Sequence, residues 1–278
     1  MYKRSLFSFL FFICFLCSYS QTLNIATYNL RYDNPGDTGN LWKDRSVAVV
    51  GLIRFHDFDV FGTQEGLKNQ LDDIANGLPE YTCYGKGRDD GGDKGEHSAV
   101  FYKKEKFALL KCGDFWLSET PDKPGKGWDA ECCNRICSWV LLKDKATGKQ
   151  FYFFNVHFDH QGKIAQVESG KLMLKKIREI AGKNNVVLTG DFNGDRSSDW
   201  YQRIASSDIL KDTYKDVKYP YANNASFNAF GKTLDRDDVI DHIFISRNGK
   251  SSRWGILTDT YRGKFPSDHF PVEAFIRF

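Results

Sequence analysis

The chain has 278 residues, of which 27% are charged and 15% aromatic, and a formal net charge of +3. This length suits one large α/β domain as well as two small ones, and it is enough for a substantial core. The near-neutral balance gives little long-range pull on polyanions, which counts against non-specific nucleic-acid binding.

The first twenty residues read MYKRSLFSFLFFICFLCSYS. Lys3 and Arg4 make a basic start, Leu6 to Leu16 an apolar stretch, and Ser18-Tyr19-Ser20 a small-residue exit. That layout predicts a secretory signal peptide cleaved before Gln21, and hence a secreted or periplasmic protein. The apolar stretch is short of the roughly 20 residues a membrane span needs. Phe15-Leu16 make a poor lipoprotein box in front of Cys17, and no later segment is apolar enough to cross a membrane. Removing residues 1–20 from the 278 leaves 258, a charge of +1 and five cysteines: Cys83, Cys112, Cys132, Cys133 and Cys137. An odd number at no metal-like spacing is neither a disulfide scaffold nor a zinc site, although one or two bridges are open to them in an oxidising compartment. The thiols read as structural, and the adjacent Cys132 and Cys133 are not expected to pair with each other.

The mature chain starts as β-α-β-α. Leu23 to Arg31 alternates like a strand, Lys43 to Phe55 has helical spacing, Phe58 to Thr63 is a short apolar strand, and Leu67 to Ala75 a second helix. Strand-like runs follow at Tyr81 to Tyr84, Ser98 to Tyr102, Phe107 to Lys111, Arg135 to Leu142 and Phe151 to His157. Polar loops separate them, from Gly85 to His97 and from Pro121 to Gly127, and loops of this size are often functional. A long amphipathic helix is predicted over Lys163 to Ala181. After it come a strand over Val186 to Leu188, a helix near Trp200 to Ala205, and strands at Val239 to Ser246, Trp254 to Leu257 and Phe270 to Ile276. Helices at intervals around many strands predict an α/β fold of two packed sheets with helices outside, in one layered domain over residues 21–278.

The predicted strands share a habit at their ends. Apolar runs finish in Tyr28-Asn29, Gln64-Glu65, Asn155-Val156-His157 and Gly190-Asp191-Phe192-Asn193, while Ser267-Asp268-His269 precedes the last strand. Ile240-Asp241-His242 places a carboxylate within an apolar run. One such end is an ordinary turn. Six of them suggest a shared mouth, since ligands of α/β proteins bind where strand ends converge. Glu65, Asp191 and Asp268 are hard oxygen donors of the kind that hold Mg²⁺ or Mn²⁺. Asn29 and Asn193 can position a water or a ligand oxygen, and His157 and His269 can titrate near neutral pH. With no serine elbow and no Cys/His pair, this inventory points to water attacking phosphorus beside a hard cation.

In this order TYNLR, QE, NVHFDH, GDFN, IDHIF and SDHFPV resemble the endonuclease/exonuclease/phosphatase superfamily over nearly the whole mature chain. The NVHFDH and GEHSAVFY stretches look closest to a secreted bacterial branch near the deadenylase-like group. The resemblance implies a four-layer α/β sandwich with mostly antiparallel or mixed sheets and a site at the mouth between them. It implies metal binding by Glu65 and Asn29, with Asp268 beside the metal, and Mg²⁺ as cofactor with Mn²⁺ as substitute. Asp191 would orient or deprotonate the water, Asn193 would bind the phosphate or that water, and His269, held by Asp241, would act as base or oxyanion stabiliser. His157 would donate to a phosphate oxygen. Pre-organised donors of this kind are each worth about 3 kcal/mol in rate. Arg135 and Asn228 are candidate substrate contacts. Asp159, His160, Asp195, His56 and His242 read as supporting or turn residues, and Trp42, Trp116 and Trp128 as core or rim.

The expected activity is therefore a metal-dependent phosphoesterase, monomeric, acting on a phosphoester of a glycan, a lipid, a small molecule or a nucleic acid. The alternatives are a DNA or RNA nuclease of the same superfamily and a non-catalytic module that binds phosphate ligands.

Overall fold

The structure is a computed structural model that describes residues 22–222 and 224–278. The leader expected over residues 1–20 lies outside the described residues. Among the described residues, twelve strands form two mixed sheets of six. The first sheet contains β1 (Leu23–Asn29), β2 (Val60–Gln64), β3 (Tyr81–Tyr84), β4 (Val100–Lys103), β11 (Lys250–Ile256) and β12 (Val272–Arg277), in the order β11-β12-β1-β2-β4-β3. The second contains β5 (Phe107–Trp116), β6 (Ile136–Asp144), β7 (Gln150–His157), β8 (Asn185–Asp191), β9 (Leu210–Asp212) and β10 (Asp241–Ser246), in the order β5-β6-β7-β8-β10-β9.

Each sheet has a parallel pair at its centre. β1 pairs with β2 across the helix α1 (Trp42–His56), and β7 pairs with β8 across α3 (Lys163–Ala181). A parallel pair needs such a crossover, and the crossover helix covers the outer face of its sheet. α1 and α2 (Lys68–Gly77) lie over the first sheet, around Ala26, Tyr28, Val49, Ile53, Phe61 and Ile74. α3 and α4 (Asp199–Ala205) lie over the second, around Phe154, Val156, Met173, Ile177, Leu188 and Trp200. A third apolar cluster, with Ile25, Val60, Phe153, Val187 and Ile243, fills the space between the sheets. The three clusters are the three interfaces of a four-layer sandwich, as the sequence pattern predicts. No helix among the described residues is long and apolar enough to cross a membrane.

Alternation along the central strands positions the site. On β1 the residues Ala26 and Tyr28 pack toward the helices, while Ile25, Thr27 and Asn29 face the other sheet. The register aligns Ile25 with Val60, Thr27 with Gly62 and Asn29 with Gln64. Across the gap, Phe153 aligns with Val187, Asn155 with Thr189 and His157 with Asp191. The interior thus runs in three tiers: apolar, then small and polar, then the polar groups at the carboxyl ends of both parallel pairs.

Two strands run longer than their alternation predicts. β5 continues to Trp116 through a register shift between Leu109 and Lys111, and β11 begins at Lys250 through a shift near Ser251 and Arg253. Both are edge strands with one paired side, where Lys111, Asp114 and Ser252 are tolerated and the apolar signal fades. β10 starts at Asp241, so this carboxylate opens its strand instead of sitting within it.

Candidate active site

The carboxyl ends of β1, β2, β7 and β8 open into a cleft of about 520 Å³. Glu65, Asp191, Asp268, His157 and His269 line one part of it, and Arg88, Arg135 and His160 the other. β1 delivers Asn29, which is fully buried. Its amide donates to Asp191 Oδ2 at 2.9 Å and to Glu65 Oε1 at 3.1 Å, joining the two sheets at the mouth. Just past β2, Glu65 takes a left-handed backbone conformation, φ 62°, that ends the strand. Its Oε2 accepts the Tyr32 amide at 3.1 Å. Ser267 Oγ donates to the Asn29 carbonyl at 2.7 Å and ties the segment with Asp268 and His269 to the end of β1.

Asp191 is the meeting point. Its Oδ1 accepts the Asn193 amide at 2.9 Å, and its Oδ2 lies 3.7 Å from His269 Nε2 and 3.5 Å from His157 Nε2. Asp241 stands beside it in strand register, and its Oδ2 is 2.9 Å from His269 Nδ1. Burial and the Asp241 charge carry the Asp191 carboxyl up to about pKa 7. Burial works against a charged His269, but Asp241, Asp191 and the Nδ1 hydrogen bond outweigh it and lift the ring to about 10. His269 is therefore an imidazolium at neutral pH with Nε2 turned toward Asp191. Burial and Glu65 raise Asp268 to about 6, against the pull of His269 and Arg31.

His157 differs. Burial, Arg135 and Arg88 hold its pKa well below the usual histidine value. Asn193 Nδ2 donates to the Phe158 carbonyl at 2.9 Å, and a carbonyl can only accept, so the amide orientation is set. The same Nδ2 lies 3.0 Å from His157 Nε2, which must then accept. The neutral ring carries its proton on Nδ1, 3.9 Å from Glu96. The donor role toward phosphate expected of His157 thus needs a proton that Nε2 lacks in this arrangement.

The residues fit a divalent cation. Glu65, His157 and Asp191 each offer a ligand atom within 4.8 Å of the others, as do Asp191, Asp241 and His269. The His269 ring is charged and the lone pair of His157 Nε2 is taken by Asn193, so the carboxylates of Glu65 and Asp191 are the groups that would hold the ion. Buried carboxylates with raised pKa values are groups whose charge a metal ion would stabilise. Asp268, expected beside the metal, stands next to Arg31, whose Nε is 3.8 Å away and whose Nη1 is 4.0 Å from Glu65.

The family model for the endonuclease/exonuclease/phosphatase family matches residues 26–269. The chain belongs to this family. A solved structure of a family protein from Bacteroides thetaiotaomicron is 47% identical, covers 93% of this chain and 98% of its own, and superposes with a TM-score of 0.89. A solved structure of a mannosyl-6-phosphatase from the same organism is also 47% identical, over 92% of this chain and all of its own, again with a TM-score of 0.89. The catalytic domain of human Nocturnin, solved with a bound sulfate, is 18% identical over 92% of this chain at a TM-score of 0.73, which shows the shared fold. Members of this family are hydrolases of phosphoester bonds.

The remaining sequence candidates of this family member fall in different places. Arg135 is buried on the cleft wall, with Nε 3.4 Å from Asp159 and Nη2 2.8 Å from His160 Nδ1. Asp159 also caps the turn into α3 by accepting the Gln161 and Gly162 amides. Asn228 is fully buried next to the cleft residue Phe227, and its amide donates to the Ser267 carbonyl. It is thereby tied to the segment carrying Asp268, while its Oδ1 has no hydrogen-bond partner. Asp195 closes its turn on Ser197, and His56 pairs with Asp259 at the end of α1. His242 packs among Phe192, Trp200 and Tyr201 on the outer face of its sheet. Trp42 and Trp116 are buried, and their indoles donate to Asp73 and to the Arg88 carbonyl.

One expectation is overturned. Cys132 and Cys133 are joined in a disulfide, at the rim of the cleft. They lie outside any strand or helix, where the backbone is free of a ladder that would turn the two side chains to opposite sides. Sequence reasoning also missed Arg31, Arg88 and Glu96. Arg88 makes two hydrogen bonds to Glu96, at 2.6 and 2.8 Å, within the polar loop 85–97 that composition alone marks as functional. Burial lifts Glu96 to about pKa 7 in spite of Arg88.

Proposed function

We propose that this protein is a secreted, Mg²⁺- or Mn²⁺-dependent phosphatase acting on the 6-phosphate of a mannose-type sugar or glycan. The observation that carries the substrate is the 47% identity, over 92% of this chain, to a mannosyl-6-phosphatase. The leader-like first twenty residues support secretion, and the near-neutral charge favours a small phosphoester over a polyanion.

A divalent metal ion bound at Glu65 and Asp191 would neutralise phosphate charge and polarise its oxygens. The Asp191 carboxylate, where the cleft groups meet, is placed to accept a proton from the attacking water. Asn29 holds that carboxylate in place from the opposite sheet. The His269 imidazolium presents Nε2 to the cleft as a charged donor for a non-bridging phosphate oxygen, and Asp241 holds its Nδ1 side. Asn193 and His157 form a hydrogen-bonded pair on the flank of the site. Arg88 and Arg135, held by Glu96 and Asp159, bring guanidinium groups to the wall that can contact the phosphate.

The test is a panel assayed with purified protein and Mg²⁺: mannose 6-phosphate, other hexose phosphates, sphingomyelin, inositol phosphates, DNA and RNA. The proposal expects phosphate release to be fastest from mannose 6-phosphate or a 6-phosphorylated mannoside. Faster cleavage of DNA or RNA than of any monoester would replace it with a nuclease.

A further inference from the structure

Directly under the site, the middle tier of the sheet interface holds a buried polar network. Asn155 on β7 sits at its centre, with no exposed surface. Its Nδ2 donates to the Thr63 carbonyl at 2.8 Å and the Ala99 carbonyl at 3.0 Å, both in the first-sheet half of the sandwich. Its Oδ1 accepts from Gln64 Nε2 at 2.7 Å and from Thr189 Oγ1 at 3.0 Å. The amide therefore uses both donors and both lone pairs, the full capacity of the group. Gln64 reaches on to Thr27 Oγ1 at 3.0 Å.

The backbone opposite has made room for it. A Cβ on Gly62 would lie 2.2 Å from Asn155 Oδ1 and 2.6 Å from Thr189 Oγ1. Gly62 is the register partner of Thr27, in the same tier. Two independent features, a saturated amide and a missing side chain facing it, thus describe one built contact between the sheets. The tier below is closed by Ile25, Val60, Phe153 and Val187, so apolar packing was available at this depth. A buried polar network in place of apolar packing gains directional geometry rather than adhesion.

That geometry is aimed at the site. On strands, residues two apart face the same way. Thr27 lies one pleat below Asn29, Asn155 one below His157, and Thr189 one below Asp191, while Gln64 immediately precedes Glu65. We propose that Asn155, with Gln64, Thr27 and Thr189, is an intersheet clamp that sets the spacing between the two halves of the active site. Asn29 and Glu65 ride on one sheet, and His157 and Asp191 on the other. These are positioning residues; they reach the cleft only through the groups above them. The reading rests on the proposed phosphoester hydrolysis, but the metal cradle of Glu65 and Asp191 spans the same two halves and can be read without turnover.

The test compares Asn155→Leu, Thr189→Val and Thr189→Ser with wild type, each checked for folding by circular dichroism and melting. kcat and KM are measured on p-nitrophenyl phosphate, and Mn²⁺ affinity by electron paramagnetic resonance of the free ion. The clamp predicts kcat lower by about 10- to 100-fold in Asn155→Leu and about 10-fold in Thr189→Val, with KM changed little, and Mn²⁺ bound about tenfold more weakly. Thr189→Ser, which keeps the hydroxyl, restores both. Should Asn155→Leu fail to fold, the two Thr189 variants carry the comparison. Folded variants that keep kcat and Mn²⁺ affinity within twofold of wild type overturn the clamp. A wild type that turns over no phosphoester, with Mn²⁺ affinity still falling in Thr189→Val and returning in Thr189→Ser, upholds the clamp and refutes the hydrolase reading alone.

Discussion

Replacing Asp241 by asparagine keeps the shape of the side chain and removes one buried charge from beside His269. In the wild type that ring rises from 6.5 to about 10, with Asp241 the largest of the raising influences. The whole rise is worth roughly 5 kcal/mol in favour of the charged ring, at about 1.4 kcal/mol per pKa unit. Removing the largest raising influence brings the ring's pKa down from about 10, so the variant's ring is easier to deprotonate. An asparagine can also present its NH₂ to Nδ1, which turns the proton onto Nε2 or empties the hydrogen bond. Loss of a charged donor and its fixed orientation lowers kcat/KM by roughly 10²- to 10⁴-fold. The rate is followed on p-nitrophenyl phosphate from pH 6 to 9, and the ring by long-range ¹H–¹⁵N spectra of the chelated protein. The alkaline limb of the rate profile should move to lower pH in the variant. Stability should follow the same linkage. A histidine whose folded pKa is raised stabilises the fold fully below its unfolded value near 6.5, and loses that contribution as pH rises through about 10. The melting gap between wild type and variant in EDTA is therefore widest near pH 6 and narrows toward pH 10. A variant that keeps kcat/KM within threefold, or whose His269 still titrates near 10, refutes the assignment of Asp241 as the group that holds this ring.

Chelation by EDTA should abolish activity, and Mg²⁺ or Mn²⁺ should restore it; activity indifferent to chelation contradicts the metal site. Arg135→Lys keeps the charge but loses the fork shared by Asp159 and His160, so KM for a sugar phosphate should rise about tenfold with a smaller change in kcat. An unchanged KM would remove Arg135 from the substrate wall. Gly62→Ala should cost about 1 to 3 kcal/mol in urea unfolding through overpacking against Asn155, and the cost should shrink in Gly62→Ala/Asn155→Ala. Additive costs would place the strain elsewhere.

The part of this protein that was legible in the sequence was the part written in strand ends. Glu65, His157, Asp191, Asn193 and His269 each follow or precede an apolar run, and the fold brings them to one cleft, with the buried Asn29 hydrogen-bonded to two of them, because both parallel pairs end on the same side. The four-layer architecture was legible for a similar reason, since α1 and α3 sit where crossovers must. What was hidden depends on contacts between distant segments. Arg88 and Glu96 lie in a polar loop with no periodicity, and only its fold against the cleft wall gives them a place. Asn228 reads as a loop residue along the chain, and its hydrogen bond to the Ser267 carbonyl joins segments far apart in sequence. Edge strands β5 and β11 lost their alternation to solvent. Gln64, Asn155 and Thr189 were visible as letters beside the catalytic motifs, but a hydrogen bond from one sheet to the other has no signature along a single strand.

The central claim is that Asp191 and the groups around it hydrolyse a sugar phosphomonoester. It is tested most directly by inorganic phosphate release from mannose 6-phosphate in Mg²⁺, with wild type and Asp191→Ala side by side at equal folded concentration. The account predicts steady turnover by wild type and a loss of at least about 10³-fold in the variant, since Asp191 both takes the proton and completes the metal cradle. Equal release by the two proteins would contradict it.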